Sequence, residues 1–136
     1  MDMNQYTQKT ISAMQRAQAI AIEYQHQNVE QEHILTALTE NDGELIPQLL
    51  AKCGVDVNAL RAGLKDNLGK TPRVSGPGRQ PDSIYISQDV DKALVEAKKI
   101  ADQMKDEYLS VEHVWMGIAA KPSASVQKLL RALGYR

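Results

Sequence analysis

Gly69-Lys70-Thr71 ends as a phosphate-binding loop ends, with a lysine for the anion and a hydroxyl for its magnesium. The rest of that pattern is missing. The first glycine would fall at position 64, which is Leu64, an amphipathic helix precedes where a strand is needed, and Pro72 disfavours the helical conformation at Thr71. Three histidines, His26, His33 and His113, stand near acids and suggest metal or acid-base chemistry, but no two are spaced i, i+4 to share one helix face. Glu32-His33 and Glu112-His113 instead occupy the first turns of two equivalent helices, where a glutamate meets the positive end of the dipole and can cap free amides. A catalytic pair needs one copy only, so a pair that recurs reads as a packing template. The single Cys53 precedes Gly54 at the end of an apolar stretch and reads as a buried core thiol in a reducing compartment. Thr7 and Ser87 read as helix N-caps, each stabilising by roughly 1 kcal/mol. No serine, cysteine or carboxylate set completes a catalytic constellation, which disfavours an independent small enzyme.

The elements that carry these residues form a repeat. Offset by 80 positions, residues 7–54 meet residues 87–134 without a gap, with identities at Gln8, Ala13, Ala17, Ile20, Ala21, Glu32, His33, Leu49, Leu50 and Gly54. Ordinary composition would give roughly three. In each copy a helix opens at the Thr7 or Ser87 cap with apolar residues three and four apart: Ile11, Met14, Ala17, Ala21 and Tyr24 in one, and Val90, Ala93, Leu94, Ala97, Ala101 and Met104 in the other. A short polar loop follows, then helices over about 31–40 and 111–120, the second capped by Ser110. Helices over 46–53 and 126–133 come next, each closed by a glycine. Copy one adds a fourth helix, capped by Asp56, with Val57, Leu60, Leu64 and Leu68 as its buried face. The fold expectation is all-α: two tandem helical repeats related by an approximate two-fold axis, repeat one over 1–69 and repeat two over 87–136. They are joined by a long Gly/Pro loop over 70–86, in which residues 83–86 alternate enough for a short strand. Two units meeting across an axis leave a groove suited to an extended apolar peptide.

The chain has 136 residues, 43% of them hydrophobic and 24% charged, which is one domain able to bury a core. It contains no Phe and one Trp, leaving the core to Ala, Leu, Ile, Val and Met, a palette that favours helices. A net charge of −1 gives no field for nucleic acid, and the longest apolar run, 114–120, is far below the roughly 20 residues of a membrane span. The expectation is a cytoplasmic domain with neither partner.

With the repeat, the Glu-His helix starts and the central loop in view, the chain resembles the N-terminal domain of ClpB-type AAA+ disaggregases. The residues carrying the resemblance are Tyr6-Thr7-Gln8-Lys9, Val29-Glu30-Gln31-Glu32-His33-Ile34-Leu35, Leu49-Leu50, Cys53-Gly54-Val55-Asp56, Val74-Ser75-Gly76-Pro77-Gly78, Ile86-Ser87-Gln88-Asp89 and 105–113. They span nearly the whole chain. The resemblance implies a non-catalytic module that engages unfolded or aggregated polypeptide for a homohexameric ATPase, the isolated domain being monomeric. It implies no cofactor in this chain, with ATP and magnesium confined to ATPase modules this sequence lacks. The family's substrate-handling polar residues match Thr7, Ser87, Asp106 and Glu112, and its apolar groove matches Val90, Leu94, Leu109 and Val114. A second reading is docking of a folded adaptor, as in ClpC- or ClpA-like protease subunits. Under the offset, Asp56 corresponds to Arg136, so the sequence ends where a fourth helix of copy two would start, which suggests a segment of a longer chain.

Overall fold

A computed structural model describes residues 3–74 and 84–135. Four helices form copy one, α1 (Gln8–Glu23), α2 (Gln31–Thr39), α3 (Leu45–Lys52) and α4 (Val57–Lys70), and three form copy two, α5 (Gln88–Gln103), α6 (Val111–Ala120) and α7 (Ala124–Ala132). A two-stranded parallel sheet pairs β1 (Asn28–Val29) with β2 (Tyr85–Ile86). The short strand expected near 83–86 is therefore present from Tyr85, while its partner at Asn28 is too short to leave a pattern. Residues 75–83 of the Gly/Pro loop lie outside the described residues, as does Arg136.

Local chemistry sets the helix ends. Thr7, Asp56, Ser87 and Ser123 are extended N-caps whose side chains accept from the amides of Thr10, Ala59, Val90 and Val126. At the C-terminal ends of α3 and α7, Gly54 and Gly134 take φ of +84° and +81°, and the next residue folds back, Val55 N–H onto Leu50 O and Tyr135 N–H onto Leu130 O. α1 and α5 end in the same way with non-glycine residues, Gln25 and Lys105 at φ +60°, after which His26 N–H donates to Ala21 O and Asp106 N–H to Ala101 O. This motif corrects the reading of Cys53, which is exposed rather than a core thiol. Cys53 is the C-cap residue; the reversal at Gly54 returns Val55, not Cys53, to the core.

One core of Leu, Ile, Val and Ala side chains runs through both copies. α5 and α6 approach so closely that a Cβ on Gly117 would meet the Ala93 carbonyl and Ala97. The copies also exchange backbone pairings at equivalent positions. Tyr6 pairs with Leu109, through Thr7 N–H to Leu109 O (3.1 Å) and Leu109 N–H to Gln5 O (2.7 Å). Adding 80 to one partner and subtracting it from the other gives Ile86 with Val29, which is the pairing seen in the sheet, with Ser87 N–H on Val29 O at 3.0 Å. One side chain has no such counterpart. Gln31 donates to the carbonyls of Asp89 (3.0 Å) and Lys121 (2.9 Å) and accepts from Ser123 N–H (2.9 Å), tying α2 to both ends of copy two; the equivalent residue is Val111.

Candidate functional site

The predicted polar residues lie at two equivalent corners. At the first, Thr7 Oγ1 accepts from Thr10 N–H (3.2 Å), and the Thr10 hydroxyl donates to Leu109 O (3.0 Å), so the short Thr7–Thr10 hydroxyl contact (2.8 Å) has Thr7 as donor. Asp106, which follows the left-handed turn at Lys105, sits in the same loop and accepts from His113 Nε2 at 2.8 Å. At the second corner Ser87 caps α5 near the Glu30 carboxylate, which burial pushes above the usual carboxylate range although the Ser87 hydroxyl works in the other direction. The structure thus brings Thr7 to Leu109, ties Asp106 of the same loop to His113, and places Ser87 at the position that corresponds to Thr7 in the other copy.

Each corner is closed by a histidine at the third residue of its helix. Glu30 N–H donates to His33 Nδ1 (2.7 Å) and Ser110 N–H to His113 Nδ1 (2.9 Å). The histidine therefore does what glutamate does in an ordinary capping box, and the capping expected of Glu32 and Glu112 belongs to their neighbours. With Nδ1 accepting, a neutral ring carries its proton on Nε2. His33 hands that proton to His26 Nδ1 at 2.8 Å, and His113 hands its own to Asp106. His33 is fully buried, and desolvation, with the neighbouring His26, pushes its pKa down to about 4.

Asp106, His113 and Ser110 form a carboxylate-imidazole-hydroxyl array, since Ser110 Oγ lies 3.0 Å from His113 Nδ1. It does not make a nucleophile. The single Nδ1 lone pair already receives the backbone N–H of Ser110, and copy one repeats the architecture with Glu30 in the serine's place. Among the described residues no group of three His, Cys, Asp or Glu could hold a metal ion, and no helix is long and apolar enough to cross a membrane.

The two Glu residues of the repeat diverge. Glu32 is buried and accepts from Asn67 of α4 (3.2 Å) and Ser125 of α7. Glu112 is half-buried with no hydrogen bond or ion pair to another described residue, leaving its carboxylate available. The apolar set sits deeper than a groove lining: Val90, Leu94, Leu109 and Val114 are each at most 4% exposed, sealed in the core. The apolar side chains that do reach solvent nearby are Tyr85, Ile86, Val95, Met104 and Tyr108. Of these, Tyr85 and Ile86 had a signal, the alternation at 84–86, and Tyr108 had its place beside a predicted groove residue.

The model of the Clp repeat N-terminal domain family matches residues 5–133. The chain belongs to that family. It is 39% identical over 126 residues to the chaperone protein ClpB of Nitratidesulfovibrio vulgaris, covering 93% of this chain and 15% of that protein. The chain thus spans less than a sixth of the length of this curated relative. In structure it resembles the N-terminal domain of Hsp104 from Candida albicans (TM-score 0.82, 19% identity, 96% of this chain and 83% of that one). It also resembles a ClpV N-domain solved with a VipB peptide (TM-score 0.74, 18% identity, 96% of this chain and 79% of that one). Both likenesses concern the fold. Two tandem helical repeats are thus the architecture of this Clp N-terminal domain, and the chain is a chaperone-family domain of mainly α class.

Proposed function

We propose that this Clp N-terminal domain recruits exposed apolar segments of unfolded or aggregated polypeptides for a ClpB-type ATP-driven disaggregase. The reading is carried by the 39% identity to a ClpB across 93% of the chain. In it the domain is non-catalytic and cytoplasmic, the whole protein is a homohexamer, and ATP and magnesium act in ATPase modules outside this sequence. Thr7, Ser87, Asp106 and Glu112 are the polar contacts. Thr7 and Asp106 belong to the first corner and Ser87 to the second, and Glu112 offers a carboxylate with no partner among the described residues. Val90, Leu94, Leu109 and Val114 are buried, so a client would meet them only after displacing the side chains that cover them. Affinity should be weak, because a shallow surface on a small module buries little area and threading requires release as well as capture.

The test is titration of the isotopically labelled chain with a permanently unfolded protein such as casein, followed by amide chemical shifts. Fast-exchange shifts in residues 84–90 and 104–112 are expected, and a spectrum unchanged at saturating casein overturns the reading. A single folded partner retained from lysate in stoichiometric amount, with no casein binding, would instead establish adaptor docking.

A further inference from the structure

Among the described residues the outer edge of β2 is unpaired, and the hydrogen bonds to β1 fix its phase. Ser87 N–H donates to Val29 O, whereas Glu30 N–H, which would bond Ile86 O in the opposite phase, is given to His33 Nδ1. The backbone groups of residues 85 and 87 therefore face β1, and those of Ile84 and Ile86 point away from it. No other described residue bonds the Ile84 or Ile86 N–H or C=O. Ile84 is partly buried against the core and anchors the strand, while Tyr85 is 71% and Ile86 42% exposed. The equivalent edge in copy one is closed by burial, since Tyr6 is 7% exposed. Near this edge stand carboxylates: Glu30, close to Ser87, and Asp89 and Asp91 in the exposed first turn of α5.

We propose that the outer edge of β2 is a strand-addition site, where an extended apolar segment bearing lysine or arginine pairs its backbone with Ile84 and Ile86. The inference rests on the client-binding reading above and names how a client is held. Unsatisfied N–H and C=O groups in strand geometry are complementary to an extended chain and to little else, and they read no side chains, so one edge accepts many sequences. Tyr85 and Ile86 supply apolar contact on the two sides of the added strand. The three carboxylates favour a cationic client over an acidic one.

The experiment uses the 136-residue chain and a short synthetic peptide alternating leucine or threonine with lysine, alongside the same peptide N-methylated at every second residue. Binding is read by fluorescence anisotropy and by hydrogen exchange at Ile84 and Ile86. The expected result is slowed exchange at both amides and a roughly tenfold or greater loss of affinity for the peptide methylated in the pairing register. Ile86→Pro should lose affinity to a similar degree with unchanged circular dichroism, because proline removes only an unpaired N–H and suits an edge strand. The methylated peptide leaves the domain untouched, so the test stands if that variant misfolds. Equal binding of both peptides, or protection elsewhere with none at Ile86, overturns the edge while leaving client binding intact. No binding of either peptide or of casein overturns both. Concentration-dependent dimers that Ile86→Pro abolishes would overturn the proposal by making a second copy the occupant.

Discussion

Acid should weaken this domain through His33 as pH falls from about 6.5 towards 4. A neutral His33 accepts the Glu30 amide on Nδ1 and donates to His26 from Nε2; a protonated ring has no lone pair for that amide. The unfolded residue takes up a proton near pH 6.5 and the buried one only near pH 4, so between these values the unfolded state binds more protons. Stability is then fully present above about pH 6.5 and falls as pH drops, by about 2 kcal/mol at pH 5 and about 3 kcal/mol at pH 4, order-of-magnitude values from the linkage relation. Glu30 works in the other direction. Its carboxyl is raised by burial, so its contribution grows on acidification, which makes the His33 figure an upper value at the low end of the window. Urea unfolding followed by circular dichroism at pH 7.5, 6 and 5 measures the effect, with His33→Gln as the comparison. Glutamine can still accept the Glu30 amide but cannot titrate. The variant should be less stable than the parent at pH 7.5, through altered packing, and should lose far less between pH 7.5 and 5. Parallel losses in the two proteins would refute the assignment of the acid sensitivity to His33.

Gly117→Ala should destabilise by about 1–3 kcal/mol in denaturant titration, because the new methyl meets the fixed Ala93 carbonyl and outweighs the roughly 1 kcal/mol of helix propensity gained. Gly63→Ala should cost less, since its methyl meets only the movable end of Leu129. Gln31→Ala removes three hydrogen bonds, leaving the Lys121 carbonyl and the Ser123 amide without this partner, and should cost about 2–3 kcal/mol, seen as a lowered urea midpoint. Cys53→Ser should stay within about 0.5 kcal/mol of the parent, and Cys53 should react readily with a thiol reagent in the folded protein, as its exposure requires.

Helix positions were legible because each helix carries its own start and stop chemistry. Thr7, Asp56 and Ser87 are caps with polar side chains at the correct distance from an apolar stripe, and Gly54 and Gly134 mark reversals. What was hidden depends on partners distant in sequence. β1 is two residues, Asn28 and Val29, extended because residue 85 lies beside them. The capping role of His33 and His113 had a local signal, the spacing of three from Glu30 and Ser110, but the usual capping residue is Glu or Gln and the adjacent Glu drew the assignment. For Val90 and Leu94 the period showed which side of α5 faces inward and could not show that the far side is sealed, while the groove role of all four, Leu109 and Val114 included, came from the family resemblance alone. Cys53 was misplaced for the same kind of reason, because the buried face of α3 ends at Leu50 and the helix itself one residue before Cys53.

The repeat makes departures from equivalence more telling than the matches. Matched features, such as the histidine caps and the exchanged pairings 6 with 109 and 86 with 29, are what both copies need in order to fold. At two matched positions the residue of copy one is closed off and its counterpart 80 residues later is open. Glu32 is held by Asn67 and Ser125, yet Glu112 has no described partner; Tyr6 is buried, yet Ile86 is exposed with its backbone turned to solvent. A duplicated unit under selection for folding alone would have little reason to keep an exposed isoleucine beside an unpaired edge, a combination that invites aggregation. Under the proposed function this asymmetry would give scaffold duty to copy one and put client contact at the entrance of α5, which the casein titration tests.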